Sequence, residues 1–413
     1  MISNKTGLAT TSPTRFHPLD ALRSFAMLLG PVVHLSLTYA HKQIPFWKLQ
    51  DAYQSYFFDI ILVLLRSFRL EIFFLLSGFF ATFMYQKKGG FYFIKNRFIR
   101  IFVPLMIGWP IIVLLFIFLQ PTSALNSITP HAAINLNPTM PDLTIALWDI
   151  PPFHLWFLYY LLLLYGVFTM IVLFTHLTKI HWKFLDTGFL KILESPYHIW
   201  ILALTTLPLV FLMKSLWIDV PLTLALKGRV LIYYGVFFAF GCFLNRQPQI
   251  LLRLAKNRWL YLKIAIPAAL CLAPTLAIVG IYASSVSTLT TIIIRIMYVT
   301  CTWSLVLCMI GFSQHYFTKE NKTIRYLSDA SYWVYLMHLP LLVYFQKLLM
   351  DSSIPGPLKP LVVLSLTFGI LFISYHYAVR YSLIGTLLNG KRSKAHPMVN
   401  KDDNRMELSS NLQ

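Results

Sequence analysis

Long apolar runs separated by short polar segments recur along the whole chain. A helix rises about 1.5 Å per residue, so about 20 apolar residues are enough to cross the hydrocarbon core of a bilayer. Ten runs reach or approach this length, at residues 20–40, 57–85, 101–120, 154–176, 197–213, 229–245, 260–282, 289–312, 330–350 and 360–384. The pattern predicts an all-α polytopic membrane protein with about ten transmembrane helices.

The composition supports this fold class and adds an orientation. Of the 413 residues, 57% are hydrophobic and only 12% are charged, which excludes a soluble domain of ordinary composition. The net charge of +20 comes largely from basic clusters in alternate loops, at residues 87–100, 179–191, 246–258, 319–325 and 391–394. These separate clusters do not form the continuous basic surface that binds nucleic acid. By the positive-inside rule, these loops and both termini are cytoplasmic.

The same pattern divides the chain into three segments. Residues 1–18 contain no apolar core and form a cytoplasmic N-terminal segment instead of a secretory signal. Residues 19–388 form one transmembrane domain. Residues 389–413 are polar and charged, and we expect them to form a disordered cytoplasmic tail. The four cysteines lack the spacing of a zinc site, so we predict no metal site.

The first span carries three ionisable residues, Asp20, Arg23 and His34. Arg23 and His34 are eleven residues apart, which brings them within about 20° of the same helix face, with His34 about 16 Å deeper. Asp20 shares that face and is spaced for an i, i+3 ion pair with Arg23. An ionisable side chain inside a membrane costs roughly 2.5–3.5 kcal/mol, so this face turns towards protein or water. We therefore predict that it lines a cavity.

The ninth span repeats this arrangement. Ser331, Tyr335 and His338 recur at helical spacing and form one polar stripe on an otherwise apolar helix. If the helix begins near Asp329, His338 lies about 13 Å from its cytoplasmic end, a depth comparable to that of His34. A single buried histidine is commonly a packing residue that keeps a hydrogen bond. Two of them, each with polar neighbours on its own face, favour a functional site.

Polar residues at the outer end of the second span have two interpretations. The span covers 29 residues, or about 43 Å of helix, so its outer end extends beyond a hydrocarbon core of about 30 Å. Arg66, Arg69 and Glu71 lie in this outer part. They either snorkel to the interface with a local Arg69–Glu71 charge balance or form a polar wall that faces an extracytoplasmic acceptor. Near the midplane, the Ser77-Gly78 pair indicates close helix packing.

Two further positions carry candidate chemistry. Arg97 and Arg100 share a helix face at the cytoplasmic entry of the third span. Their guanidinium groups either anchor the helix or bind a phosphate-bearing ligand. His154 opens the fourth span at the outer surface beside Trp156, where it belongs either to an interfacial aromatic belt or to an acceptor site.

Four stretches resemble, in order, the successive signatures of the acyltransferase-3 family of integral-membrane acyltransferases. They read LDALRSFAMLLGPVVH, FFLLSGFF, FIKNRFIRIFVPL and LSDASYWVYLMHLPLL, and they cover spans one to three and nine. The segments RSFRLE and HLWFL are most similar to the branch of the family that succinylates periplasmic glucans. Other branches often carry a glutamate after the Leu-Trp of the fourth span, and none follows Leu155-Trp156 closely here.

The resemblance implies an enzyme of the bacterial inner membrane. It would transfer a succinyl or acetyl group from cytoplasmic acyl-CoA, its donor substrate, to a hydroxyl group of an extracytoplasmic carbohydrate such as a periplasmic glucan. No permanently bound cofactor is implied. His34 would act as a general base or carry the acyl group, and these two roles stay open. His338, Ser77 and Tyr335 would line the same chamber and stabilise the developing oxyanion.

The resemblance also divides the charged residues between the two substrates. The CoA phosphates would bind Arg23, Arg97 and Arg100, with Asp20 balancing Arg23. The residues that face the acceptor would be Arg66, Arg69, Glu71 and His154.

Two other classes of protein compete with this interpretation. A transporter or flippase would use the intramembrane histidines and arginines to relay protons or hold an anion. The chain shows no paired halves of the kind found in transporters with inverted repeats. A third hypothesis is a structural partner of a glycan-export complex that has no activity of its own.

Overall fold

The computed structural model of the protein describes residues 16–119 except 43, 45, 46 and 48, together with residues 151–179, 183–280 and 286–390. In these ranges the helices are α1 (His17–Tyr39), α2 (Tyr56–Arg66), α3 (Arg69–Arg97), α4 (Val103–Leu119), α5 (Trp156–Thr178), α6 (Lys183–Glu194), α7 (His198–Phe211), α8 (Gly228–Arg246), α9 (Gln249–Lys256), α10 (Arg258–Val279), α11 (Thr288–Tyr316), α12 (Lys322–Met350), α13 (Lys359–Ser374) and α14 (Leu383–Asn389). All ten predicted segments are helical, which confirms the all-α fold class. The predicted N-terminal segment and tail lie mostly outside the described residues.

Eight stretches of the described chain are long and apolar enough to cross a membrane. One of them, Tyr56–Leu119, contains the second and third predicted spans. The fifth predicted span is the shorter apolar helix α7, whose 14 residues extend only about 21 Å. The chain is therefore a polytopic membrane protein in which one helical segment is shorter than a full span.

The second span is not one continuous helix, so that prediction was wrong. Helix α2 ends at Arg66 and α3 begins at Arg69, with Phe68 outside helical geometry at φ −141°. The Ser67 hydroxyl donates a hydrogen bond to the Leu64 carbonyl oxygen at 2.8 Å, which satisfies a carbonyl group at the end of α2. Arg66 and Arg69 therefore flank a turn inside the bundle instead of lying on a projecting arm.

The two helices that carry the predicted histidines, α1 and α12, pack against each other. Helix α12 begins at Lys322, earlier than the position near Asp329 that the sequence pattern indicated. The Asn321 side chain caps it by accepting hydrogen bonds from two backbone N–H groups of the first turn, at 2.8 and 3.2 Å. With this start, His34 lies about 25 Å along α1 and His338 about 24 Å along α12. Both histidines therefore reach the middle of the bundle.

Helices α3 and α8 approach each other through two glycines. A Cβ atom at Gly78 would overlap the backbone carbonyl of Phe238, and one at Gly241 would overlap the backbone carbonyl of Leu75. The thiol of Cys242 also donates to the carbonyl oxygen of Gly78 at 3.4 Å. The close helix packing predicted from Ser77-Gly78 is confirmed, because only glycine permits this backbone approach.

We expect Gly241→Ala to lower the free energy of unfolding by about 1–3 kcal/mol, because the new methyl group would force α3 and α8 apart. Thermal unfolding of the purified protein in detergent measures this loss. Gly166→Ala is the matched control, since Gly166 is exposed on α5 and a Cβ atom there would meet nothing within 4 Å. Equal melting temperatures for the two variants would contradict the packing argument.

Candidate active site

A cavity lies in the middle of the bundle between α1, the α2–α3 turn, α5 and α12. Its volume is about 80 Å³. The polar and aromatic side chains that line it are His34, Arg66, Arg69, His154, Trp156, Tyr234, Tyr335 and His338. The predicted polar faces of α1 and α12 therefore meet in one cavity, together with two arginines that the sequence placed at the outer end of the second span.

Three imidazole rings form the centre of this cavity. The ring centroids of His34 and His338 are 5.4 Å apart, those of His154 and His338 are 4.7 Å apart, and those of His34 and His154 are 6.4 Å apart. His34 and His338 had been placed at similar depth from the sequence, and the structure brings them together. His154 completes the group from the start of the fourth span.

The hydrogen bonds of His338 define its tautomer. Its Nδ1 lies 2.7 Å from the Tyr335 carbonyl oxygen and 3.2 Å from that of Val334. A carbonyl oxygen only accepts, so Nδ1 carries the proton and Nε2 keeps its lone pair. Nε2 is buried and has no hydrogen-bond partner among the described residues. His338 therefore presents a proton acceptor to the cavity.

The other two histidines also have a buried ring nitrogen that makes no hydrogen bond to the described residues. His154 donates from Nε2 to the Leu336 carbonyl oxygen at 3.2 Å, and its Nδ1 is buried without a partner. The Nδ1 atom of His34 is buried and likewise has no partner in the part of the chain that the structure describes. Buried polar atoms are normally hydrogen-bonded, so this concentration of unpaired nitrogens indicates a site that accepts a substrate.

Because Gly30 has no side chain, it leaves a space in which the Arg69 guanidinium group and the His338 imidazole face each other. A Cβ atom at Gly30 would lie 3.4 Å from Arg69 Nη1 and 3.7 Å from His338 Nε2. Both groups therefore border the same point on α1, one turn before His34. A guanidinium group in this position can donate hydrogen bonds to an oxygen atom that gains negative charge.

His154 is held inward by the turn that precedes α5. Phe153 has a φ of +47°, which is uncommon for a residue with a Cβ atom, and its ring stacks on Phe116 with a centroid distance of 4.7 Å. The Tyr335 hydroxyl donates to the His154 carbonyl oxygen at 2.9 Å. The His154 side chain is only 6% exposed. The interpretation of His154 as part of an interfacial aromatic belt was therefore wrong, because these contacts turn it into the cavity.

Glu71 does not share the cavity with its neighbours in the sequence. Two residues along a helix correspond to about 200° of rotation, so Glu71 faces away from Arg69. It is fully buried, and its Oε1 accepts a hydrogen bond from the Tyr233 hydroxyl at 3.2 Å. Arg66 instead donates to the Ile218 carbonyl oxygen at 3.1 Å and packs over the Trp217 ring at 4.1 Å. Glu71 therefore does not belong to the polar wall in which the sequence had placed it, and no Arg69–Glu71 ion pair forms between the described residues.

A second cationic group lies at the end of the bundle where α1 begins and α3 ends. Arg23 forms the predicted ion pair with Asp20 at 3.2 Å. Arg97 packs over the rings of Tyr165 and Phe93, at 4.8 and 5.4 Å. Arg100 donates to the carbonyl oxygen of a residue at the end of α14, at 3.3 Å, and is close enough to Arg23 and Arg97 to interact with their charges. These arginines do not line the histidine cavity, whose lining on α1 begins at Ala26, and His34 lies about 16 Å beyond Arg23 along the helix.

Ser77 lies between the two charged groups. Phe73, four residues before it on α3, lines the cavity, and Phe80, three residues after it, packs against the Arg23 guanidinium group at 5.6 Å. The spacing places Ser77 on the same face of α3. Ser77 is therefore positioned between the arginine group and the cavity, while Tyr335 lines the cavity directly.

Several cavity residues were not identified from the sequence. Tyr234, Ile218 and Val220 line the cavity, and the Trp47 ring lies 5.8 Å from the His34 ring. The pair of tyrosines within an otherwise apolar eighth helix was the available signal for Tyr234, since a tyrosine hydroxyl needs a partner when buried. Ile218 and Val220 lie in a connection between helices where polar residues interrupt the apolar ones. Nothing in that stretch of sequence indicates that it lines a cavity.

Comparisons with known proteins match nearly the whole chain to one family. A model of the acyltransferase-3 family, described as an acyltransferase domain, matches residues 16–379. The chain is 28% identical over 171 residues to the glucans biosynthesis protein C of Salmonella typhi, which covers 39% of this chain and 41% of that protein. It is 23% identical over 401 residues to the protein of the same name from Salmonella schwarzengrund, covering 93% of this chain and 97% of that protein. No solved structure matches significantly.

Proposed function

The chain belongs to the acyltransferase-3 family, and we propose that it transfers a succinyl or acetyl group from cytoplasmic acyl-CoA to a hydroxyl group of an extracytoplasmic carbohydrate. It is a membrane acyltransferase by family and by fold. The name of its relatives supports a glucan as the acceptor, and a bacterial inner-membrane location is part of the same proposal. The observation that carries the proposal is that Arg69 and His338 meet at Gly30, with the His34 ring 5.4 Å from that of His338.

The proposed reaction uses an imidazole as the base. A ring nitrogen of His34 takes the proton of the acceptor hydroxyl, and the oxygen attacks the carbonyl carbon of the thioester. Arg69 donates hydrogen bonds to the carbonyl oxygen as it becomes negative. When the C–S bond breaks, the imidazolium returns the proton to the sulfur, which gives the ester and free CoA. His338 Nε2 is close enough to share the proton or to orient the acceptor hydroxyl.

An alternative course has His34 carry the acyl group. The imidazole would attack the thioester first, release CoA, and pass the acyl group to the hydroxyl in a second step. Brief incubation with radiolabelled donor in the absence of acceptor distinguishes the two courses. Label that stays on the protein, together with ping-pong kinetics, would establish the carrier role, and a strict requirement for both substrates would establish the base.

The donor phosphates are proposed to bind at Arg23, Arg97 and Arg100. Guanidinium groups bind phosphate through paired hydrogen bonds, and Arg97 and Arg100 form no ion pair with a carboxylate within the described ranges. Arg97 is positioned for this role by the aromatic faces of Tyr165 and Phe93. The thioester would then extend past Ser77 towards His34.

We expect Arg97→Ala to raise the KM for acyl-CoA about 10- to 100-fold, because a charge-assisted hydrogen bond to phosphate is lost, with kcat reduced much less. Steady-state kinetics at saturating acceptor measure both constants. Lys256→Ala is the control, because Lys256 is an exposed cation at the end of α9, in another basic cluster of the same predicted cytoplasmic side. An unchanged donor KM would make Arg97 a membrane anchor only.

The proposed function itself is tested with the purified, reconstituted wild-type protein. Succinyl-CoA or acetyl-CoA is supplied with a gluco-oligosaccharide, and free CoA is measured together with the mass of the oligosaccharide. Acceptor-dependent CoA release and a mass increase of one acyl group are expected. Failure with both donors would overturn the proposal and favour the transporter hypothesis. Counterflow of a labelled anion across the same vesicles would then support transport.

A further inference from the structure

The connection between α7 and α8 forms one wall of the cavity. This strap, residues 212–227, has no helix of its own, and its residues Ile218 and Val220 line the cavity on the side of Arg66. Asp219, between these two residues, does not line the cavity. A loop of this kind is mobile unless side chains hold it, and this strap is held at several points.

Three cationic side chains hold the strap by its carbonyl groups. Arg295, 5% exposed on α11, donates from Nη1 and Nη2 to the carbonyl oxygens of Phe211 and Met213, each at 3.0 Å. Arg66 donates to Ile218 at 3.1 Å, and Lys227 donates from Nζ to Val220 at 3.1 Å. Burial removes water from the Lys227 ammonium group and so lowers its pKa, and the hydrogen bond to the Val220 carbonyl oxygen replaces part of the lost solvation. The two cavity-lining residues are therefore each fixed by a cation at their own carbonyl oxygen.

Asp219 sets the position of the strap from its other face. Its carboxylate is 8% exposed and forms an ion pair with Arg229 of α8 at 2.8 Å. It also accepts hydrogen bonds from the backbone N–H groups of Lys214 and Ser215, each at 3.2 Å, and from the Ser215 hydroxyl at 3.0 Å. A carboxylate with this many donors strongly favours one arrangement of the strap. Asp219 thereby directs Ile218 and Val220 into the cavity.

The strap lies on the acceptor side of the site. Its contact with Arg66 joins it to the α2–α3 turn, while Arg97, which is proposed to bind the donor, lies at the other end of α3, beyond a kink at Gly89. Trp156 and Tyr234 line the same cavity as the strap residues Ile218 and Val220. Sugar rings have apolar C–H faces as well as hydroxyl groups, and a wall of aliphatic and aromatic side chains fits such a face.

We propose that residues 212–227 form the wall that selects the carbohydrate acceptor, with Ile218 and Val220 in contact with the sugar and the Asp219–Arg229 pair as its positioning element. This inference rests on the proposed function. Asp219 and Arg229 do not touch the substrate, so their removal should weaken acceptor binding without altering the donor site. A direct change at Val220 should alter acceptor preference without disturbing the ion pair.

The test compares Asp219→Asn and Val220→Ala with the wild type, all reconstituted. Asp219→Asn is expected to raise the KM for a gluco-oligosaccharide about tenfold and to leave the KM for acyl-CoA within about twofold. Val220→Ala is expected to change the ratio of kcat/KM between a short and a long gluco-oligosaccharide at unchanged melting temperature. Asp186→Asn is the control, because Asp186 pairs with Arg246 at the other end of α8, at 3.2 Å.

The outcomes separate this inference from the proposed function. A wild-type protein without acceptor-dependent CoA release overturns the proposed function. An active wild type whose Asp219→Asn variant raises both KM values equally overturns the specificity role, and so does a Val220→Ala variant with an unchanged acceptor ratio. If Asp219→Asn does not fold, Val220→Ala and Ile218→Ala decide the question, since neither removes a strap hydrogen bond.

Discussion

Replacement of His34 by alanine is expected to lower kcat about 10²- to 10⁴-fold, the contribution typical of a positioned general base, with little change in the melting temperature. His34 lies at the meeting point of the three imidazole rings, and its Nδ1 has no partner among the described residues, so alanine breaks no hydrogen bond at that atom. Acceptor-dependent CoA release from reconstituted His34→Ala measures the loss.

The matched control for His34→Ala is His376→Ala. His376 is an exposed histidine in the Tyr375–Val379 turn after α13, outside the cavity, so its removal should leave kcat within about twofold. If His34→Ala kept the activity of the control, His34 would be a packing residue and the proposed reaction would lose its base.

The second large effect is expected at His338. In His338→Asn the side-chain amide can still donate to the Tyr335 carbonyl oxygen, as Nδ1 does now at 2.7 Å, but nothing replaces Nε2. We expect kcat to fall about 10²-fold with the fold retained. His338→Ala loses the hydrogen bond as well and should also lower the free energy of unfolding by about 1–3 kcal/mol.

Comparison of these two variants separates chemistry from structure. Melting temperatures report the hydrogen bond to Tyr335, and kcat reports the free nitrogen that faces Gly30 and Arg69. A His338→Asn variant with normal kcat and a His338→Ala variant with low stability would assign His338 to packing alone. A His338→Asn variant with low kcat and a normal melting temperature would show that Nε2 takes part in the reaction.

The position of Glu71 bears on how Arg69 functions. The carboxylate lies on the opposite side of α3 from the cavity, so Arg69 keeps its donors free for a substrate oxygen. A direct ion pair would occupy those donors. The charge of Glu71 still acts across the helix, since buried charges in a low dielectric interact beyond contact distance. Arg69 therefore brings a positive charge to the site that no ion pair with Glu71 neutralises.

The amino-acid order was enough to predict where the helices lie and which side of α1 and of α12 is polar. An apolar run of sufficient length specifies a membrane helix, because backbone groups in lipid must bond within their own segment. Helical spacing then places Asp20, Arg23 and His34 on one side of α1, and the i, i+3 ion pair is confirmed. The same local periodicity placed Tyr335 and His338 on one side of α12. These features depend on residues within a few turns of each other.

Which groups the polar sides of α1 and α12 contact depends on how the helices pack. The break at Ser67 turned Arg66 and Arg69 inward, the turn at Phe153 brought His154 to His338, and the strap delivered Ile218 to the cavity. Arg66 and Ile218 are 152 residues apart, and His154 and Leu336 are 182 apart. Periodicity fixes the direction of a side chain relative to its own helix axis, but the partner on another helix depends on how all the helices pack. Only the assembled bundle therefore showed that His154 joins the other two histidines, that Arg69 pairs with no carboxylate among the described residues, and that the strap forms a wall of the cavity.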